Sequence, residues 1–164
     1  MTETKSTEEK VIREQLVELL RGGSAHADFD ASIGDLAPEF YTKRPKGSPH
    51  SAWQLLEHLR IALHDLLVFC TDPKYVAPKW PDDYWPAEEA HVEEEKWQRS
   101  VRAVKADLAE FEKLVRDHET NLYAKIPWGD GQTVLREVLL AADHNSYHLG
   151  QLVLIRKQLG AWHE

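Results

Sequence analysis

The chain has 164 residues, of which 42% are hydrophobic and 29% charged, with a formal net charge of −8 and a pI near 5.6. That length suits one domain, taken as residues 1–164, with a single core. The acidity repels phosphate backbones and anionic lipid, so neither nucleic acid nor a membrane surface is an expected partner.

Residues 1–10 are polar and mixed in charge, so no secretory signal is expected. No apolar run approaches the roughly 18 residues of a membrane span. Cys70 is the lone cysteine, which excludes an internal disulfide and fits a reducing, cytoplasmic setting. Nine histidines and six tryptophans stand out in so short a chain.

Helical periods predominate along the sequence, so the expected class is all-α. A first amphipathic helix is predicted from Ser6 to Arg21, with Val11, Leu16, Leu19 and Leu20 as its apolar side and Gly22–Gly23 as its stop. Ser24 reads as the N-cap of a second stretch to Leu36, with Phe29, Ile33 and Leu36 on its buried stripe. Pro38, Pro45, Gly47 and Pro49 make residues 37–50 a loop. Ser51 and Gln54 form a capping box that opens a helix to about Cys70. Its stripe is Leu55, Leu59, Ala62, Leu66 and Phe69, with His58 at the margin. Residues 71–86 are a connection rich in proline and tryptophan.

A long helix is predicted next, with Glu88 and Glu89 in its first turn, where carboxylates suit the helix dipole. Trp97, Val101, Val104, Leu108, Phe111 and Leu114 or Val115 give it a heptad-like seam. A loop with Pro127, Gly129 and Gly131 follows. Thr133 caps the last helix, which ends near Leu159 and carries Val134, Val138, Ala141, His144, His148, Leu152 and Ile155 on one side. The expected architecture is a four-helix bundle with a core of about residues 22–160 and an N-terminal helical extension over 1–21. The connections allow antiparallel or crossover wiring.

His144 and His148 are four apart on a helix, which puts both imidazoles on one face within reach of a single ion. That face is otherwise apolar, and an unpaired buried imidazole costs about 1–3 kcal/mol per unsatisfied group. The alternative for such a pair is one core histidine bonded to a carbonyl and one facing solvent. Asn145 stands where a zinc protease of this spacing has its glutamate, so that chemistry is excluded. Glu88 and His91 form the only Glu-x-x-His match, in an acidic run, so a di-iron bundle is set aside.

The candidates for a third ligand are His26, His50, His58, His64, His91, His118 and His163. Position favours His58, because the others lie in a loop, in the tail, among charges or on another face. Asp65, seven residues after His58, Glu137, seven before His144, and Gln151, three after His148, share helical phase with the ligands and are candidates to orient them. Tyr147 could donate to a bound ligand, or belong to the core. Trp80, Tyr84 and Trp85 either roof the site or plug the end of the bundle. Cys70 has no flanking positive charge and reads as a small buried apolar residue.

SAWQLLEHLRIALHD (51–65), KWPDDYWP (79–86) and DHNSYHLGQLVLIRKQLG (143–160) together resemble the DinB-like family, a four-helix-bundle superfamily that includes YfiT-type proteins and thiol-dependent enzymes. The matching positions are His58, His144, His148, Gly150, Gln151 and Arg156. The resemblance implies that the three histidines bind one divalent metal ion, often in a homodimer, and that some relatives use a low-molecular-weight thiol in isomerase or S-transferase reactions. Zinc and nickel suit such imidazoles first, and manganese or iron are compatible with them. A three-histidine zinc site keeps an open position, which is the catalytic pattern. Two readings follow: a metal-dependent thiol S-transferase or hydrolase, and a non-catalytic metal-binding stress-response or structural dimer.

Overall fold

The computed structural model describes residues 2–163, with side chains from Thr7 onward. The ends of the predicted domain, Met1 and Glu164, lie outside the described residues. Helix α1 covers Thr2–Arg21, α2 Phe29–Ile33, α3 Ala52–Thr71, α4 Glu94–Arg116 and α5 Val134–Gln158. Short 3-10 turns at Pro38–Phe40 and Asp82–Tyr84 punctuate the connections. The described residues contain no strand, and one isolated bridge pairs Lys125 with Thr133. No described helix is long and apolar enough to cross a membrane.

The four long helices form the bundle. α3 packs on α4 and α5, and α1 packs on the same two from the opposite side. Trp53 meets Trp97 and His64 meets Asp107, so α3 and α4 run parallel. Trp128, just before α5, donates its indole N–H to Phe69 O near the end of α3, so α5 runs antiparallel to α3. Arg13 and Arg21 reach Val115 and Glu112 respectively, so α1 is antiparallel to α4. The connection over residues 72–93 therefore returns along the length of the bundle, which settles the wiring as a crossover.

The segment expected to be an extension is the fourth bundle helix. Leu16, Val17 and Leu20 of α1 are buried, while Val11 and Leu19 are 44% and 48% exposed, so its apolar face is rotated from the expected one. Buried Arg13 explains the rotation. Its guanidinium donates to Val115 O, Asp117 O and Thr120 O at 2.6, 3.0 and 2.7 Å, satisfying carbonyls at the end of α4.

The second predicted stretch shortens to Phe29–Ile33, capped by Asp28 rather than Ser24: the Asp28 carboxylate accepts from Ala31 N at 2.8 Å. The long helix starts at Glu94, not near Glu88. Glu89 is held in the preceding loop by Lys96 Nζ at 2.6 Å and Trp53 Nε1 at 3.2 Å. The capping box at Ser51 and the cap at Thr133 form as expected. The core runs through Trp53, Leu56, Leu59, Leu63, Trp97, Val104, Phe111, Val138, Ala141 and Leu152.

Candidate metal centre

His58 projects from α3, and His144 and His148 from α5, into the seam between these antiparallel helices. His58 and His148 are buried and His144 is half-buried. One nitrogen from each ring lies within 4.8 Å of the others, and His58 Nε2 is 3.0 Å from His144 Nε2. An ion bound at about 2.0–2.1 Å by each ring holds its donors at most about 4.2 Å apart, so a small closure of the rings brings all three onto one ion.

The hydrogen bonds fix which nitrogen faces inward. His58 Nδ1–H donates to Tyr84 O at 2.8 Å, leaving a lone pair on Nε2. His148 Nδ1–H donates to Gln151 Oε1 at 2.8 Å, with the same consequence. In the short contact with His58, His144 Nε2 must then carry the proton. A third donated lone pair puts that proton on His144 Nδ1, which is buried without a partner. That orphan costs about 1–3 kcal/mol, small beside the roughly 10–16 kcal/mol with which imidazole and thiolate sites hold zinc. The residues present therefore fit a divalent ion.

Burial keeps the rings neutral, so protons do not compete for the lone pairs at neutral pH. His144 is pushed down to about 4 by burial and by its neighbours His148 and His58. Burial also lowers His148 to about 4, against the opposing bond from Gln151. Burial lowers His58 too, and the Tyr84 carbonyl partly offsets it.

The crossover connection covers the cluster. Trp85 stacks on His58 with ring centroids 3.8 Å apart and planes within 2°. His50 stacks on Trp85 at 3.9 Å. Tyr84 and Tyr75 donate their hydroxyls to Asp65 Oδ2 and Oδ1 at 2.6 and 2.8 Å. The result is a cavity of about 720 Å³ walled by Pro49, His50, Ala62, Leu66, Trp80, Tyr84, Trp85 and Leu140, with the three histidines and Asp65, Asp143, Tyr147 and Gln151 supplying polar groups. That size is in the range of small-molecule sites.

The candidate orienting residues separate. Gln151 bonds His148. Asp65 lines the cavity but bonds no histidine; it acts through Tyr84, whose carbonyl holds His58. Glu137 is buried against Arg136 at 2.7 Å and does not wall the cavity. Seven residues along a helix are about 10 Å, beyond the reach of an imidazole. Tyr147 is 64% exposed at the mouth, its ring edge on His148, and is not a core residue. Cys70 is buried as expected, and its thiol is pushed up to about 12 by burial and Glu137.

Sequence reasoning set His50 aside as a loop residue and gave no sign of the Tyr84 carbonyl. His50 directly precedes the Ser51 N-cap, a position that commonly folds back on the first turns of a helix, and that was its available signal. A main-chain carbonyl leaves no compositional trace. Of the remaining histidines, His64 pairs with Asp107 at 3.2 Å and His91 with Glu93 at 3.0 Å, while His26 bonds Ser146 at 3.2 Å, all away from the cluster.

Fold and site together define an all-α bundle in which the second and last long helices bring three histidines together beneath a crossover loop. The chain belongs to the DinB superfamily, whose family model matches residues 23–152. That span includes α3, α4, the crossover and all three histidines. No curated protein and no solved structure shows significant similarity to the chain.

Proposed function

We propose that the protein binds one divalent metal ion through His58, His144 and His148 and acts on a small molecule in the adjoining cavity, as a metal-dependent thiol S-transferase or hydrolase. The observation that carries this reading is that the converging imidazoles front about 720 Å³ of open space. A structural site closes its ion with protein ligands instead. Zinc or nickel is the first choice for this donor set, ahead of manganese and iron.

A divalent ion supplies Lewis acidity, which favours the deprotonated form of a thiol or water that reaches it. The chain's own residues do the rest. The Tyr84 carbonyl and Gln151 hold His58 and His148 in their orientations. Trp85 shields one face of His58 from water. The lone cysteine and the family resemblance support a cytoplasmic homodimer using a low-molecular-weight thiol.

The test is turnover of thiols with electrophiles, and of simple esters, before and after chelation. The expected result is activity that vanishes with the metal and returns with zinc or nickel. Turnover that ignores chelation, or a metal-loaded protein inert to every thiol and ester, contradicts the reading.

A further inference from the structure

The outward face of α5 bears on how two copies of the chain meet, an inference that rests on the homodimer proposed above and locates it. Leu139, Asp143, Tyr147, Gly150, Leu154 and Lys157 follow one another at steps of four and three residues, a heptad-like seam on the side away from the core. All six are exposed, and Leu139, Tyr147 and Leu154 are so to 44%, 64% and 54%. Large apolar side chains grouped on one helix face and rimmed by charge mark an interaction surface.

Gly150 adds a second observation. It sits in the interior of α5, where glycine weakens a helix relative to alanine. Nothing within the chain requires it, since a Cβ there would meet no atom within 4 Å. The missing side chain instead lets the backbone of another helix come close at that point, between the exposed Tyr147 and Leu154. The charges select a second copy of α5 as that helix. Asp143 lies seven residues before Gly150, and Lys157 seven after it. Neither makes an ion pair with any described residue, and the Lys157 ammonium has only the Trp162 ring at 5.7 Å. Within one chain the two are about 21 Å apart along the helix, out of reach of each other. Two antiparallel copies of α5 crossing at Gly150 bring each Asp143 opposite Lys157 of the other copy. A two-fold contact is self-complementary in this way.

We propose that a second copy of this chain docks on the outward face of α5, antiparallel, with the two helices crossing at Gly150. Asp143 and Tyr147 also wall the cavity in front of the histidines, so this interface borders the mouth of the cavity in each copy.

The test is sedimentation of the full chain over a range of micromolar concentrations, with helix content followed by circular dichroism. The wild type is compared with Gly150→Leu, Asp143→Lys, Lys157→Asp and the double variant Asp143→Lys/Lys157→Asp. The wild type is expected to be a dimer. Gly150→Leu is expected to weaken it roughly tenfold or more, as overfilling a packed contact does, while helix content holds or rises. Each single charge reversal sets like charges opposite each other and is expected to weaken the dimer by roughly tenfold, and the double reversal to restore it. That rescue has no route within one chain, because the two positions are too far apart along α5. A dimer indifferent to Gly150→Leu and to both single reversals overturns the proposal and leaves a homodimer through another surface standing. Single reversals that the double variant fails to rescue overturn the crossing at Gly150 in the same way. A wild type that stays monomeric throughout ends this inference and the homodimer reading together.

Discussion

His148 presents its inner nitrogen because Gln151 holds the outer one at 2.8 Å. In Gln151→Ala that restraint is gone, and the ring either turns or leaves a buried N–H unpaired. Metal affinity is expected to fall roughly 10- to 100-fold, the usual effect of removing a partner that orients a ligand. Competition with a chromophoric chelator measures it, and an unchanged affinity would show that Gln151 does not orient the site. The same imidazoles set a pH dependence. His144 and His148 sit at about 4 when folded, chiefly through burial, against an ordinary value of 6.5. Their folded values are depressed, so the unfolded chain binds more protons as pH drops below about 6.5. The stability of metal-free protein from these groups is full above that pH and is lost as pH falls through about 4. Melting of the metal-free protein is expected several degrees lower at the acid end of that window than at neutrality. A flat melting temperature over that range would contradict the burial of the pair. His144 and His148 were legible as a pair from spacing alone. Gln151 was visible as a helical neighbour, but Glu137 looked equivalent until its distance along the axis separated it.

The crossover connection and α3 are tied by Asp65, which accepts the hydroxyls of Tyr75 and Tyr84. Tyr84 passes the restraint on through its main chain to His58. In Asp65→Ala both hydroxyls lose their acceptor, at about 1–3 kcal/mol for each one left buried and unpaired. Amides of residues 79–86 are expected to exchange about tenfold faster or more, with a fall in metal affinity alongside. Hydrogen exchange read by mass spectrometry checks this, and unaltered exchange would mean that the loop is held by other contacts. Ser51 and Thr133 both mark the correct starts of α3 and α5, whereas α2 is capped by Asp28 and not by the Ser24 that the sequence offered first. α4 begins after Glu93, whose side chain makes no capping bond, so nothing in the sequence marked that boundary. Glu88 and Glu89 looked like a first turn because carboxylates suit one, yet Glu89 serves Lys96 and Trp53 instead.

The four long helices enclose one core, and α1 is part of it through Leu16, Val17, Leu20 and the Arg13 contacts to the end of α4. The match to the superfamily begins only at residue 23, so α1 lies outside the matched span. Deleting residues 1–21 exposes the facing sides of α4 and α5 and leaves the α4 carbonyls without Arg13. Thermal melting followed by circular dichroism is expected to show a broad transition or a drop well beyond ten degrees, since each kcal/mol lost moves the midpoint of a chain this size by about 2–4 °C. A deletion that melts like the full chain would make α1 an appendage after all. That the chain is a helical bundle was legible from its helical periods, although α1 was expected outside the bundle and the short 24–36 stretch within it. Its wiring was not, because the parallel arrangement of α3 and α4 depends on contacts such as Trp53 with Trp97 that pair residues far apart in sequence. The central claim is that three imidazoles from two helices hold one ion. Elemental analysis of untagged protein, wild type beside His58→Ala and His144→Ala, tests it most directly. The account predicts about one transition-metal ion per wild-type chain and loss of it in both variants while they remain helical. A wild type that is metal-free and cannot be loaded with zinc, nickel or manganese would contradict it.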